Sequence, residues 1–144
     1  MLTSITVKDY MAASLVTFTP EMDVMKAIRK LVENRISGAP VIDEHGNLIG
    51  VLSEKDCLKV CLNATYHNEC GGKVSEFMTG DVTAIDADTS IPEIAEMFLT
   101  TPFRRYPVVE DNRLVGQISR RDVLRALEAL AQTHKPEKKQ QLPG

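Results

Sequence analysis

Gly50-Val51-Leu52-Ser53-Glu54-Lys55-Asp56 returns 66 residues later as Gly116-Gln117-Ile118-Ser119-Arg120-Arg121-Asp122. The match continues outward from this stretch. Ala39-Pro40-Val41-Ile42-Asp43 returns as Tyr106-Pro107-Val108-Val109-Glu110 at an offset of 67, and Val7-Lys8-Asp9-Tyr10-Met11 returns as Val74-Ser75-Glu76-Phe77-Met78 at the same offset. The chain therefore contains one unit twice. Two copies are too few for a solenoid, which needs about three or more to bury a continuous core. A closed pair is expected, with function sought in the cleft that a pseudo-two-fold relation creates between the copies.

The 144 residues are 43% apolar, enough for one compact domain or two small intimate ones. The formal net charge is −3, and no basic stripe runs along any segment. Phosphate-backbone binding draws on clustered Lys and Arg, so nucleic acid is not an expected partner. No apolar run approaches the roughly 18 residues of a membrane span, and the first residues lack a charged-then-apolar signal. Cys57, Cys61 and Cys70 are odd in number and confined to the first half. They do not read as a secreted disulfide framework, and a reduced cytoplasmic setting is the simpler expectation.

Apolar spacing shows what one copy folds into. Val24, Ala27, Ile28, Leu31 and Val32 follow the pattern of a helix with one buried stripe, as do Ile91, Ile94, Ala95, Phe98 and Leu99. Asp23 suits the N-cap of the first helix, and Ser90 with Glu93 forms a capping box for the second. A short β-prone piece precedes each helix, Leu15 to Phe18 and Val82 to Ile85. Two strands joined by a turn follow each: Ala39 to Ile42 with Leu48 to Leu52, and Tyr106 to Val109 with Leu114 to Ile118. Gly46, Asn47, Asp111 and Asn112 suit tight hairpins, and Pro40 and Pro107 belong at a strand start or edge. A last helix carries Cys57, Leu58, Cys61 and Leu62, or Val123, Leu124, Leu127 and Leu130.

Each copy thus reads β-α-β-β-α, and the expected fold is α+β. Two pseudo-symmetric repeats pack through their sheets, because neither closes a core alone. Residues 1–62 form the first repeat, 63–73 a polar linker ending in Gly71-Gly72, and 74–131 the second repeat. Residues 132–144 are expected to be a disordered tail.

Ser53 to Asp56 and Ser119 to Asp122 each lie where a strand meets a helix N-terminus. Free amides and the helix dipole there favour a phosphate or ribose oxygen. Ser can bond a phosphate through its hydroxyl, and an ionised Asp can accept from a ribose diol. The same spacing also suits a capping box, with Ser as N-cap and the acid returning a bond. Gly50 and Gly116 leave room for a ligand or for another backbone.

The element order, the Met closing each opening segment, the strand-opening Pro-Val and the doubled Gly-x-x-Ser-x-x-Asp resemble a tandem cystathionine-β-synthase (CBS) domain pair, the Bateman module. The resemblance covers about Val7 to Leu130. It implies a regulatory, non-catalytic module that takes AMP, ADP, ATP or another adenosine-containing ligand between the repeats. It also implies homodimers, through helical faces such as that around Leu124, Leu127 and Leu130, and a regulated partner protein of unstated identity.

The copies differ most before the strand-opening prolines, where Ile36-Ser37-Gly38-Ala39 stands against Phe103-Arg104-Arg105-Tyr106. A guanidinium offers a planar fork of donors to phosphate. Strand alternation suggests that one of the two arginines faces a given pocket, Arg104 first. By the resemblance, one site combines Ser53 and Asp56 with Thr83 and the Arg104-Arg105 segment. The other combines Ser119 and Asp122 with Val16, Ile36, Ser37 and Gly38, and Val16 and Ile36 wall the adenine. The two pockets are therefore expected to be inequivalent.

Three other readings compete. Cys57, Cys61, His67 and Cys70 contain zinc-type ligands but lack the familiar paired spacing, and Cys57 stands where Val123 does in the second copy. No nucleophile elbow, His-Glu-x-x-His or Walker loop supports an enzyme. A ligand-free dimeric scaffold, or a module for S-adenosylmethionine or NAD, remains as the alternative.

Overall fold

The computed structural model describes residues 2–133. A 3-10 turn at Leu2–Ser4 leads into α1 (Val7–Tyr10), α2 (Val24–Asn34), β1 (Gly38–Ile42), β2 (Leu48–Ser53) and α3 (Glu54–Tyr66). The second copy repeats the order with α4 (Val74–Phe77), β3 (Ile85–Asp86), α5 (Ile91–Thr100), β4 (Arg105–Glu110), β5 (Arg113–Ser119) and α6 (Arg120–Thr133). The fold is α+β, with two small sheets and helices.

Both long first helices start where the sequence places them. The Asp23 carboxylate accepts the Met25 amide at 3.1 Å. Ser90 and Glu93 close a reciprocal box at the start of α5, with Pro92 in the first turn. Val24, Ala27 and Leu31 are buried on α2, and Ile91, Ile94 and Phe98 on α5. Val32 and Leu99, expected on the same stripes, are instead 71% and 86% exposed. Eight residues on, an α-helix has turned about 80° past its starting side chain, which carries these two off the buried arc.

The hairpins differ in their turns. β4 and β5 join through Asp111 and Asn112, with φ of 50° and 67°, the left-handed pair of a two-residue turn. β1 and β2 are joined by a longer turn closed by Asp43, whose carboxylate accepts the His45 and Asn47 amides, both at 2.9 Å. These bonds, that from the Asn47 amide foremost, hold the Asp43 carboxyl below its ordinary value of 3.8. β3 lies parallel to β4. The expected strand from Leu15 to Phe18 contracts to a single parallel bridge, Phe18 to Val41.

The opening segments cross over. Val7 of α1 is buried in the core of the second copy with Ile85, Ile94, Tyr106 and Ile118. Val74 and Phe77 of α4 are buried in the core of the first, with Phe18, Leu31 and Leu52. Each segment then runs along the far edge of the other copy's hairpin. Ala12 and Gln117 exchange backbone bonds at 2.9 Å in both directions, as do Thr79 and Val51. Gly116 and Gly50 permit this approach. A Cβ on Gly116 would lie 2.8 Å from the Ala12 carbonyl oxygen, and one on Gly50 would lie 2.9 Å from that of Thr79. Of the two openings left by the sequence, another backbone is what these glycines admit. The hairpin tips also meet, the Leu48 amide donating to Asn112 at 2.9 Å and Leu114 to Gly46 at 3.0 Å.

Helix α3 runs four residues into the expected linker and is capped by His67. Helix α6 likewise takes in Gln132 and Thr133, the first residues of the expected tail. The rest of that tail, 134–144, lies outside the described residues. Among the described residues, no helix is long and apolar enough to cross a membrane.

Candidate functional site

A cleft of about 490 Å³ opens between β1 and β4, within the roughly 300–1,000 Å³ common for small-molecule sites. It draws on both copies. Ser37, Gly38, Ser53 and Asp56 come from the first, and Thr83, Phe103, Arg104, Arg105 and Tyr106 from the second.

Asp56 sets the character of one wall. It is 7% exposed and lines the cleft. Oδ2 accepts the Ser53 amide at 2.9 Å and the Ser53 hydroxyl at 3.0 Å, while the Asp56 amide donates back to Ser53 Oγ at 3.2 Å. This is the reciprocal capping box. It commits the Ser53 hydroxyl proton to Asp56, so the expected donation from Ser53 to a phosphate needs that bond to break. Oδ1 accepts from the Thr79 hydroxyl at 3.1 Å, and Lys59 Nζ stands 4.0 Å away. Each carboxylate oxygen has two lone pairs, so Oδ1 keeps acceptor capacity for a hydroxyl in the cleft. The donor on Thr79 comes from the crossed-over segment of the other copy.

The facing wall is cationic and aromatic. Arg104 and Arg105 both line the cleft, are exposed, and take part in no ion pair among the described residues. Arg104 precedes β4, which begins at Arg105, so strand alternation does not govern the pair. Tyr106 is 1% exposed, and its hydroxyl lies 2.6 Å from that of Thr101. It holds Phe103 edge-on, with ring centroids 5.6 Å apart and planes at 72°. Phe103 remains 49% exposed, a fixed apolar ring at the mouth of the cleft.

Other expected residues lie elsewhere. Ser37 and Gly38, assigned to the second site, line this cleft beside Ser53. Gly38 pairs with Ser53 in the β1–β2 ladder, and the Ser37 carbonyl accepts the Glu54 amide at 2.8 Å, so both are tied to their own copy's corner. Val16 and Ile36, expected as adenine walls, pack half-buried against the first core. Ser119 and Asp122 form a second capping box, with the amide and hydroxyl of Ser119 both 2.9 Å from Asp122 Oδ2. Neither lines the cleft. Cys57 packs against the first core, and burial first, then the neighbouring Asp56 and Glu54 charges, push its thiol above the ordinary value. Cys61 and Cys70 are exposed, and among the described residues no three His, Cys, Asp or Glu side chains gather as metal ligands.

The sequence reading missed Thr79, Asp81, Val51 and Gln117, which also line the cleft. Thr79 directly follows the Met that closes the repeated opening segment, and its counterpart is Ala12. That single mismatch was the available signal.

Comparison with known proteins agrees with this architecture. A curated relative, protein MJ1225 of Methanocaldococcus jannaschii, is 27% identical over 84% of this chain, and this chain spans only 42% of its length. The crystal structure of CBSX2 from Arabidopsis thaliana in complex with AMP superposes with a TM-score of 0.76 at 34% identity, covering 88% of this chain and 98% of that one. The CBS domain pair of protein MJ0100, in complex with 5′-methylthioadenosine and S-adenosyl-L-methionine, superposes at 0.67 with 25% identity, covering 87% of this chain and 97% of that one. The CBS domain model matches residues 7–63 and again 74–129, each match opening with the segment that crosses to the other copy. The chain belongs to the CBS domain family and carries that domain twice.

Proposed function

We propose that this chain is a non-catalytic regulatory module that binds an adenine nucleotide of the AMP, ADP or ATP class in the cleft between its copies. The observation that carries the proposal is the opposition of two walls. Asp56, whose carboxylate accepts from Thr79, lines the same cleft as Arg104, Arg105 and the half-exposed ring of Phe103. In this reading Asp56 accepts from the ribose hydroxyls and Phe103 covers a face of the base. The guanidinium groups meet the phosphate, where charge-assisted bonds are roughly twice as strong as neutral ones. Likeness to a protein crystallised with AMP supports the same ligand class, and likeness to one crystallised with S-adenosyl-L-methionine keeps other adenosyl compounds in the test.

The module acts through a protein partner, and it pairs with a second copy of itself. Leu58, Leu62, Leu124 and Leu127 are each at least 50% exposed, an apolar surface on α3 and α6 that a dimer would cover. Its unpaired cysteines suit the reducing cytoplasm.

A thermal-shift panel of AMP, ADP, ATP, NAD, S-adenosylmethionine and 5′-methylthioadenosine tests the reading. Ligand at 100 times its dissociation constant stabilises the fold by about 2.7 kcal/mol, an easily seen rise in Tm. A flat response to every adenosyl compound would overturn the sensor reading in favour of the ligand-free scaffold.

A further inference from the structure

We infer that the two Ser-x-x-Asp corners have separate duties. The Ser53–Asp56 corner receives the nucleotide, the Ser119–Asp122 corner is closed by the protein's own arginine, and the chain takes up one nucleotide rather than two. This inference rests on the function proposed above and adds the location and number of sites.

Three differences fall on the same corner. The first is the partner of the outer carboxylate oxygen. At Asp56 it is the neutral Thr79 hydroxyl, and Lys59, which stands where Arg125 does in the other copy, is 4.0 Å away, an ion-pair distance too long for a hydrogen bond. At Asp122 it is Arg125, whose Nη1 donates to Oδ1 at 3.1 Å. The second is what else holds that guanidinium. Its carbon lies 5.6 Å from the centre of the Tyr10 ring, and Nη1 reaches the Tyr10 carbonyl oxygen at 3.5 Å. The crossed-over segment α1 thereby fastens Arg125 over Asp122. The third is the missing hydroxyl, since Ala12 stands where Thr79 stands at the other corner.

Taken alone, an ion pair with Arg125 58% exposed is worth little, about 0–1 kcal/mol. Its consequence here is chemical. A ribose diol that reaches Asp122 meets a carboxylate whose charge a guanidinium already compensates, and it must enter beside a cation held at three points. At Asp56 the hydroxyl that meets the same oxygen is neutral and leaves the cleft without a guanidinium over the carboxylate. The same carboxylate in the same capping box thus serves recognition at one corner and fastens a crossed-over segment at the other.

The test is calorimetric titration of the full chain with AMP, joined to amide chemical shifts of the labelled protein. The expected stoichiometry is one AMP per chain, with shifts at residues 53–56 and 79 and none at 119–122 beyond those of distant amides. Thr79→Val lowers AMP affinity about tenfold, because Thr79 positions the Asp56 carboxylate that meets the ribose. Arg125→Met, which uncovers Asp122, raises the stoichiometry above one AMP per chain, while affinity at the first corner stays within twofold. An unchanged stoichiometry would show that Arg125 is not what closes the second corner. Two AMP per chain of comparable affinity, or shifts centred on 119–122, would overturn the inference and leave the nucleotide reading standing. No heat and no shifts with AMP, ADP, ATP or S-adenosylmethionine would remove the nucleotide reading and this inference with it.

Discussion

The corner at Ser53–Asp56 and the corner at Ser119–Asp122 are almost superimposable in their local bonds. Both serine amides donate to the aspartate at 2.9 Å, and both aspartate amides donate back to the serine oxygen at 3.2 Å. They part company only at the remaining oxygen, where a hydroxyl from residue 79 meets Asp56 and a guanidinium from residue 125 meets Asp122. The repeated motif therefore secures a strand-to-helix junction in either copy. What a corner then does is set by a third partner, supplied or steadied by the segment that crosses from the other copy.

The largest effect is expected where that crossing is blocked. Gly116→Ala places a Cβ 2.5 Å from Met11 Sδ and 2.8 Å from the Ala12 carbonyl oxygen, and Gly50→Ala meets Met78 Sδ at 2.8 Å and the Thr79 oxygen at 2.9 Å. Each is expected to destabilise by about 1–3 kcal/mol in denaturant titration, Gly116→Ala more than Gly50→Ala. The sulfur can swing away and the carbonyl cannot. A neutral Gly116→Ala would show that α1 does not need its edge contact.

Removing the caps comes next. Asp56→Ala and Asp122→Ala should each cost about 1–2 kcal/mol of stability, because each loses the same box. Equal losses with unequal loss of AMP binding would sharpen the contrast, and equal losses of both would break it. Thr79→Val removes one buried-side bond and should cost about 1 kcal/mol, whereas Ala12→Thr should change stability by less than about 0.5 kcal/mol.

The smallest effects are electrostatic. Arg125→Met is expected to cost at most about 1 kcal/mol in dilute buffer and less in 1 M salt, where an exposed pair is screened. A loss unaffected by salt would mean that packing on Tyr10 outweighs the pair. At the other end of the molecule, the bonds that Asp43 accepts lower its carboxyl below 3.8. A depressed carboxyl stabilises the fold above its unfolded-state value and ceases to do so as pH falls through its folded value. Asp43→Asn should therefore weaken the β1–β2 turn at neutral pH and converge with the unaltered chain below about pH 4. Unfolding midpoints measured against pH check the sign.

Much of this was legible in the sequence, because the repeat presented every local signal twice. Asp23, Ser90 and Glu93 announced helix starts through bonds spanning two or three residues, and Asp111-Asn112 announced a turn through its backbone preference. The doubled Gly-x-x-Ser-x-x-Asp located both corners. What stayed hidden depends on the path of the chain in space. Nothing local in Val7 or Val74 says that each will bury itself in the other copy's core. Thr79 gains its meaning only from Asp56, 23 residues away, and the Tyr10 carbonyl only from Arg125, 115 residues away. The exposure of Val32 and Leu99 was likewise beyond a pattern that counts apolar positions without knowing how wide the neighbouring surface is.

The crossing of α1 and α4 also bears on how such a molecule can change over generations. Two separate chains, each holding one copy, could exchange opening segments in the same way, but a substitution in one would appear in both. Thr at one corner would mean Thr at the other. Joining the copies through residues 67–73 removes that constraint, since each position is then encoded separately. Ala12 and Thr79, or Ser37-Gly38 and Arg104-Arg105, are divergences closed to a pair of identical chains. The covalent connection does more than hold the halves together: it gives each half a separate inheritance.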